Sequence, residues 1–268
     1  MVDIARLSRA ALAAMEAQGR ALLACQRELD AAGSSVLAAA LEGAGAVYEW
    51  QHYPQGDVHD PATHAQYFYH AHPASEPKPA ERGRGESDAR EHGHFHTFLR
   101  ARGMPSGVRP LVMPELAIAD NPAAPKAPLI PSAPQSTAEE EGEPWSHLVA
   151  ISMDAAGRPL RFFTTNRWVT GETWYPAADV AAMLDRFVLG PVAPAPLLNR
   201  WLTALLGLYR PLLAELLVAR DAAVMDWRRR RRAKVHVFDD RRLEVTSALA
   251  IDLEHQIELI ATALRRVA

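Results

Sequence analysis

One cysteine, Cys25, stands in the 268 residues. An internal disulfide is thereby excluded, and so is a zinc site built on a cluster of thiolates. The chain also lacks an excess of positive charge. With 29 basic and 32 acidic residues the formal net charge is -3, so no nucleic-acid partner is expected. The one basic block, Arg228 to Arg232, reads as a solvated helix end. No apolar run is long and unbroken. The most apolar stretch, Val192 to Val218, is interrupted by Pro194, Pro196, Arg200, Arg210, Pro211 and Glu215, so no membrane partner is expected either. Met1-Val2-Asp3-Ile4 is not a basic region followed by an apolar one, and a cytoplasmic location is the expectation.

What is present is a chain with 49% hydrophobic residues, enough for a substantial buried core. Leu7, Leu12, Met15, Leu22 and Leu29 recur at helical spacing and predict a helix over 3–31, ended by Gly33. Ser34 or Ser35 then caps a second, short helix that Gly43 stops. Residues 1–46 thus read as a helical hairpin. The character changes at Tyr48, where aromatics and histidines accumulate. Strands are predicted over 66–72, 92–99, 146–153 and 160–165, the last with a possible extension to Val169. Two polar or proline-rich segments, 73–90 and 120–144, read as mobile. The region 176–268 reads as helical. It holds a helix over 177–189, a long apolar helix from Leu197 with a break at Pro211, and a last helix capped by Asp239 or Asp240. Leu249, Leu253, Ile257, Ile260 and Leu264 form a stripe on that last helix, facing the core or a second copy in a homodimer. The order of elements is that of one α+β domain over 1–268, with an N-terminal helical hairpin, a small antiparallel sheet over 47–175 and a C-terminal helical bundle.

Of 11 histidines, eight fall between His52 and His96. A strand sends alternate side chains to one face, so His92, His94 and His96 are expected to project together, as are His70 and His72. One antiparallel register sets His72 across from His92, His70 across from His94 and Phe68 across from His96. Opposed Cβ atoms then lie about 5 Å apart, within reach of a shared metal. His147, on the following strand, is a further candidate ligand. Neutral imidazole suits zinc, copper and iron, and a cluster without metal must repel as cations or find a donor and an acceptor for every ring. The expected cofactor is a divalent transition metal: iron, zinc or copper. Glu91, Asp57 and Asp60 are available as a ligand, a supporting carboxylate or a proton carrier, with Glu91 the catalytic candidate. His52, His59 and His64 read as outer groups; Tyr67 and Tyr69 as core; His236 and His255 as structural.

A second stretch, Thr164 to Tyr175, carries hydroxyls, an amide, a guanidinium and indoles. Asn166, Arg167, Trp168 and Trp174 are candidates for holding a small polar or anionic substrate, with Arg167 as the clamp.

Tyr69-His70-Ala71-His72-Pro73 resembles the His-x-His-Pro strand end of JAMM-type zinc isopeptidases. Ala80 and Gly83 stand where that family needs a serine and an aspartate. More of the chain, about 48–180, resembles an uncharacterised bacterial family of unknown function. The resemblance is carried by Tyr69–His72, Glu91–His96 and Thr164–Glu172. It implies that the three segments form one site and implies no activity. The expected function is a metal-dependent enzyme, a non-haem iron or copper oxidoreductase or a zinc hydrolase. The alternatives are a metal-binding or metal-sensing protein without turnover, and a helical dimeric interaction protein without metal.

Overall fold

The computed structural model describes residues 2–45, 47–48, 51–72, 91–111, 143–230 and 236–267. The expected mobile segment 73–90 lies outside the described residues, as does the expected segment 120–144 up to residue 142.

The N-terminal hairpin forms as capping chemistry dictates. Ser8 accepts from the Ala11 N–H to start α1 (Arg9–Ala31), after a 3-10 turn at Ile4–Arg6. Gly33 takes a left-handed φ of 64°. Ser35 then accepts from Ala38 to start α2 (Val36–Ala40). Leu12, Met15, Leu22, Cys25 and Leu29 are the buried face of α1.

Six antiparallel strands follow, paired in chain order as one sheet: β1 (Tyr53–His59), β2 (Ala65–Ala71), β3 (Glu91–Arg100), β4 (Trp145–Asp154), β5 (Pro159–Thr165) and β6 (Val245–Ala250). The central four match the expected strands within a residue or two. β5 stops at Thr165. Asn166 leaves the ladder, accepts from the Arg167 N–H and caps α3 (Arg167–Thr170). The helices after it are α4 (Ala177–Leu184), α5 (Pro196–Leu208), α6 (Arg210–Arg230) and α7 (Leu253–Arg266). The expected break at Pro211 is real: α5 and α6 meet at a 74° bend. No single helix among the described residues is long and apolar enough to cross a membrane.

Two corrections belong here. The C-terminal region is not wholly helical, because β6 inserts before the last helix. Asp239 and Asp240 do not cap that helix. Asp252 does, accepting from the His255 N–H, while Val237–Asp239 is a 3-10 turn.

One face of the sheet, with Tyr67, Tyr69, Phe95, Leu99, Val149, Ile151 and Phe162, joins a core shared with α1, α4, α5, α6 and α7. The stripe expected on the last helix is used there, with Leu249 on β6 and the rest on α7. Ile260 is buried, Leu249, Leu253, Ile257 and Leu264 pack on the core, and Ile257 lies against Gly19 of α1. The other face carries the histidines.

Candidate metal centre

The expected register is the observed one. Phe68 faces His96, His70 faces His94, and the His72 N–H donates to the His92 carbonyl at 2.9 Å. Strand alternation therefore places His70, His94 and His96 on one face, with Ala150 opposite His96 and Ser152 opposite His94 on β4.

Two irregularities then decide what joins them. Between Glu91 and Gly93, β3 advances two residues while β4 advances one, from Asp154 to Met153. An extra residue in a strand reverses which face the preceding residues point to. Glu91 consequently reaches the histidine face, and His92 leaves it. His92 instead stacks on Tyr69, its Nδ1 2.7 Å from the Tyr69 hydroxyl. Gly93 permits this close approach, since a Cβ there would lie 2.5 Å from that hydroxyl oxygen. Between Thr97 and Phe98 the extra residue is on β4, which advances from Val149 to His147. His147 is thereby turned onto the histidine face, its ring 5.0 Å from that of His96.

The nitrogens converge. The Nε2 atoms of His94 and His96 are 2.9 Å apart, and those of His70 and His72 are 3.2 Å apart. Ligand atoms of His70, His94 and His96 all lie within 4.8 Å of one another, as do those of His72, Glu91 and His94. Two nitrogens each about 2.1 Å from one cation are about 3.0 Å apart at a right angle and about 3.4 Å apart at the tetrahedral angle. Those two nitrogen pairs have the spacing of neighbouring ligands on one cation, and the buried His and Glu groups could hold a metal ion.

The outer nitrogens are held by protein. His94 Nδ1 lies 2.8 Å from Glu91 Oε1, and His72 Nδ1 is 3.7 Å from the same oxygen. The other Glu91 oxygen accepts from the Ser152 hydroxyl at 2.7 Å and from Arg161 at 3.4 Å. His96 Nδ1 lies 3.1 Å from His147 Nε2, and the backbone N–H of His147 donates to Glu172 at 2.8 Å. A carboxylate on Nδ1 places the proton there and leaves the Nε2 lone pair of His94 free to ligate. His96 can present its own Nε2 lone pair by donating Nδ1–H to His147. Without a cation, its Nε2 must instead donate to His94.

Burial holds His70, His94 and His96 well below the ordinary imidazole value of 6.5, reinforced by the neighbouring rings. Burial, then Arg220, pushes His147 down to about 3. Neutral rings are the ligating form. Burial raises Glu172 to about 7 against the pull of Arg220. The cluster is graded: His96 is 1% exposed, whereas the His72 side chain is 35% exposed.

The other expected site residues sit elsewhere. Asn166 donates to the Val237 carbonyl at 2.8 Å, Arg167 pairs with Asp239, Trp168 donates to the Leu243 carbonyl at 2.8 Å, and Trp174 packs on Phe238. All four fasten the 237–243 segment. Asp60 is an organising residue of the β1–β2 turn, accepting from the Ala62, Thr63 and Gly190 N–H groups. His59 and His64 face each other at 5.7 Å. His236 caps the 3-10 turn, and His255 lies in the first turn of α7. Ser152 and Arg161, which hold Glu91, escaped the pattern reading, whereas His52, expected as an outer group, lies beside the cluster. His52 stacks on Phe68 at 3.6 Å and is held by Asp57. Its signal in the sequence is no more than a histidine five residues before an aspartate.

Residues 16–251 match the model of a family described as a domain of unknown function (DUF6969). No curated protein and no solved structure matches the chain.

Proposed function

Taking as premise that the chain belongs to the DUF6969 family, which is named for no activity, we propose that it is a metal-dependent enzyme. Its cation is a divalent transition metal, iron, zinc or copper, held by Nε2 of His70, His94 and His96. Its substrate is a small polar molecule that takes an open coordination position. The single observation that carries this reading is the Nε2 to Nε2 spacing of 2.9 Å between two buried rings on one strand.

Glu91 has the role of supporting carboxylate. Its oxygens already take the His94 ring, the Ser152 hydroxyl and Arg161, an arrangement that orients a ligand and increases its basicity. A three-imidazole set with open positions is the pattern of a catalytic rather than a structural site. The solvent-facing end at His72 is the side from which a substrate would arrive. Arg167, Asn166, Trp168 and Trp174 have no part in this reading.

A second reading has one observation in its favour. His72 Nε2, 3.2 Å from His70 Nε2, would as a fourth ligand close a tetrahedral shell, leaving a protein that binds or senses metal without turnover.

The test is elemental analysis of protein purified without a histidine tag, beside His94→Ala and His96→Ala variants whose fold is checked by circular dichroism. About one metal per chain, lost in the folded variants, is expected. Less than about a tenth of a metal in the parent protein, unchanged by added metal, would refute both readings. Binding of azide to the metal separates the two, since it needs an open position.

A further inference from the structure

The His52 ring is joined to the histidine face through Phe68. The two rings are parallel within 6° at 3.6 Å. Phe68 in turn lies 5.1 Å from the ring of His96 and 6.3 Å from that of His70.

The orientation of this ring is over-determined. Its Nδ1 is 2.9 Å from Asp57 Oδ1. Asp57 Oδ2 accepts from Gln66 Nε2 at 2.8 Å, and Gln66 Oε1 accepts from Arg100 Nε at 2.7 Å. Arg100 only donates, so it fixes which end of the Gln66 amide faces Asp57, and the carboxylate then takes the His52 Nδ1 proton. In the neutral ring, Nε2 therefore carries the lone pair. That atom is buried and has no hydrogen-bond partner among the described residues. A buried acceptor without a hydrogen bond costs about 1–3 kcal/mol, and an O–H or N–H donor brought to this Nε2 would remove that cost. A carboxylate behind a histidine is the arrangement of a general base.

We propose that His52 is the proton acceptor of the metal site, receiving at Nε2 the proton of a ligand whose metal-binding atom, or the atom next to it, carries O–H or N–H. This rests on the metal reading above and adds a substrate class: water, an alcohol or an azole-like N–H compound, in preference to a purely accepting anion. In the transfer, the O–H or N–H bond breaks and its electron pair stays on the ligand atom. The proton forms a bond to Nε2, and the resulting imidazolium is balanced by Asp57.

The test uses full-length protein loaded with cobalt(II), whose visible bands report on ligands entering the shell. Pyrazole is the protic probe, because its N–H adjoins the metal-binding nitrogen. Thiocyanate is the accepting probe. His52→Phe keeps a ring on Phe68 and removes the acceptor. Pyrazole is expected to bind about tenfold more weakly, as for the loss of one hydrogen bond, with thiocyanate unchanged. Asp57→Asn gives a sharper readout. Gln66 still donates to position 57, so the Asn amide oxygen faces Gln66 and its NH2 faces His52. The ring proton is then driven to Nε2. Pyrazole should weaken while thiocyanate tightens. Cobalt bands with no probe binding, or equal changes for both probes, overturn the assignment of His52 and leave the metal site standing. Absence of cobalt bands in the parent protein overturns the metal site as well.

Discussion

Acidification of the metal-free protein from pH 6.5 to 5.5 should cost it about 3 kcal/mol of folding stability, by linkage of proton uptake to unfolding. His70, His94, His96 and His147 are all held below the ordinary value of 6.5, by burial first. Below pH 6.5 the unfolded chain therefore binds more protons than the fold. Stability is fully present above 6.5 and is lost as the pH falls. A ring that stays neutral in the fold, while its unfolded counterpart titrates at 6.5, contributes a loss of about 1 kcal/mol over this interval, or about 4 kcal/mol for four. Glu172 works in the opposite sense. Its carboxyl is raised from 4.5 to about 7 by burial, so the fold keeps a proton that the unfolded chain releases. That returns about 1 kcal/mol over the same interval. Asp60 and Asp240 are held below their ordinary 3.8 and lose their contributions only at lower pH. The assay is urea unfolding of chelator-treated protein at the two pH values, followed by tryptophan fluorescence. With a slope of about 3 kcal/mol per molar urea, the midpoint falls by about 1 M. His147→Gln should remove about a quarter of the histidine contribution, and Glu172→Gln should steepen the loss. A midpoint equal or higher at pH 5.5 would refute the argument that these rings are buried and neutral.

Glu91→Gln keeps the shape of the side chain and removes the charge behind His94. The expected result is a 10- to 100-fold loss of zinc affinity, of the order seen when such supporting carboxylates are removed, measured by competition with a chelator; unchanged affinity would dismiss the role. Gly93→Ala puts a Cβ 2.3 Å from the His70 carbonyl oxygen and 2.5 Å from the Tyr69 hydroxyl. Backbone has to move, at a cost of about 1–3 kcal/mol, seen as a lower thermal midpoint, and an unaltered midpoint would contradict the close approach. Asp239→Ala removes the partner of a buried Arg167, which should destabilise by about 3 kcal/mol with metal content unchanged. Loss of metal in the folded variant would return Arg167 to the site.

Much of the fold was legible because local signals and global position agreed. The left-handed Gly33 ends α1 and Ser35 starts α2 where helix chemistry says they should. β2 to β5 lie within a residue or two of their aromatic and β-branched runs. β1 and β6 were not legible. β1 contains Pro54 and Gly56, which argue against a strand on propensity alone, and its pairing is irregular between Tyr53 and Val58. β6 reads Val-Thr-Ser-Ala-Leu-Ala, a run as compatible with a helix as with a strand. It is made a strand by its partner: Phe162, Phe163 and Thr164 of β5 pair with Leu249, Ala248 and Ser247. Pairing across more than eighty residues is a tertiary property that no short window contains.

The site shows the same division more sharply. A period of two places His70, His94 and His96 together, and that part needed only the sequence. The same rule applied without interruption gives the wrong companion, His92, and gives no reason for Glu91 or His147 to face the cluster. An inserted residue in β3 exchanges His92 for a carboxylate. A second, in β4, supplies an imidazole behind His96. Each irregularity reverses the alternation only at the end of the strand where a supporting group is wanted, leaving the pairing between them regular. A polar side chain turned inward without a partner would be a defect of about 1–3 kcal/mol. Both of these have partners on the ring nitrogens that point away from the cluster's centre. The ladder therefore departs from regularity at the two places where the departure completes the hydrogen bonding of His94 and His96, and it leaves their Nε2 atoms facing each other at 2.9 Å. A regular ladder would have placed His92 on this face, put Glu91 on the opposite one, and left no partner on β4 for the outer nitrogen of His96.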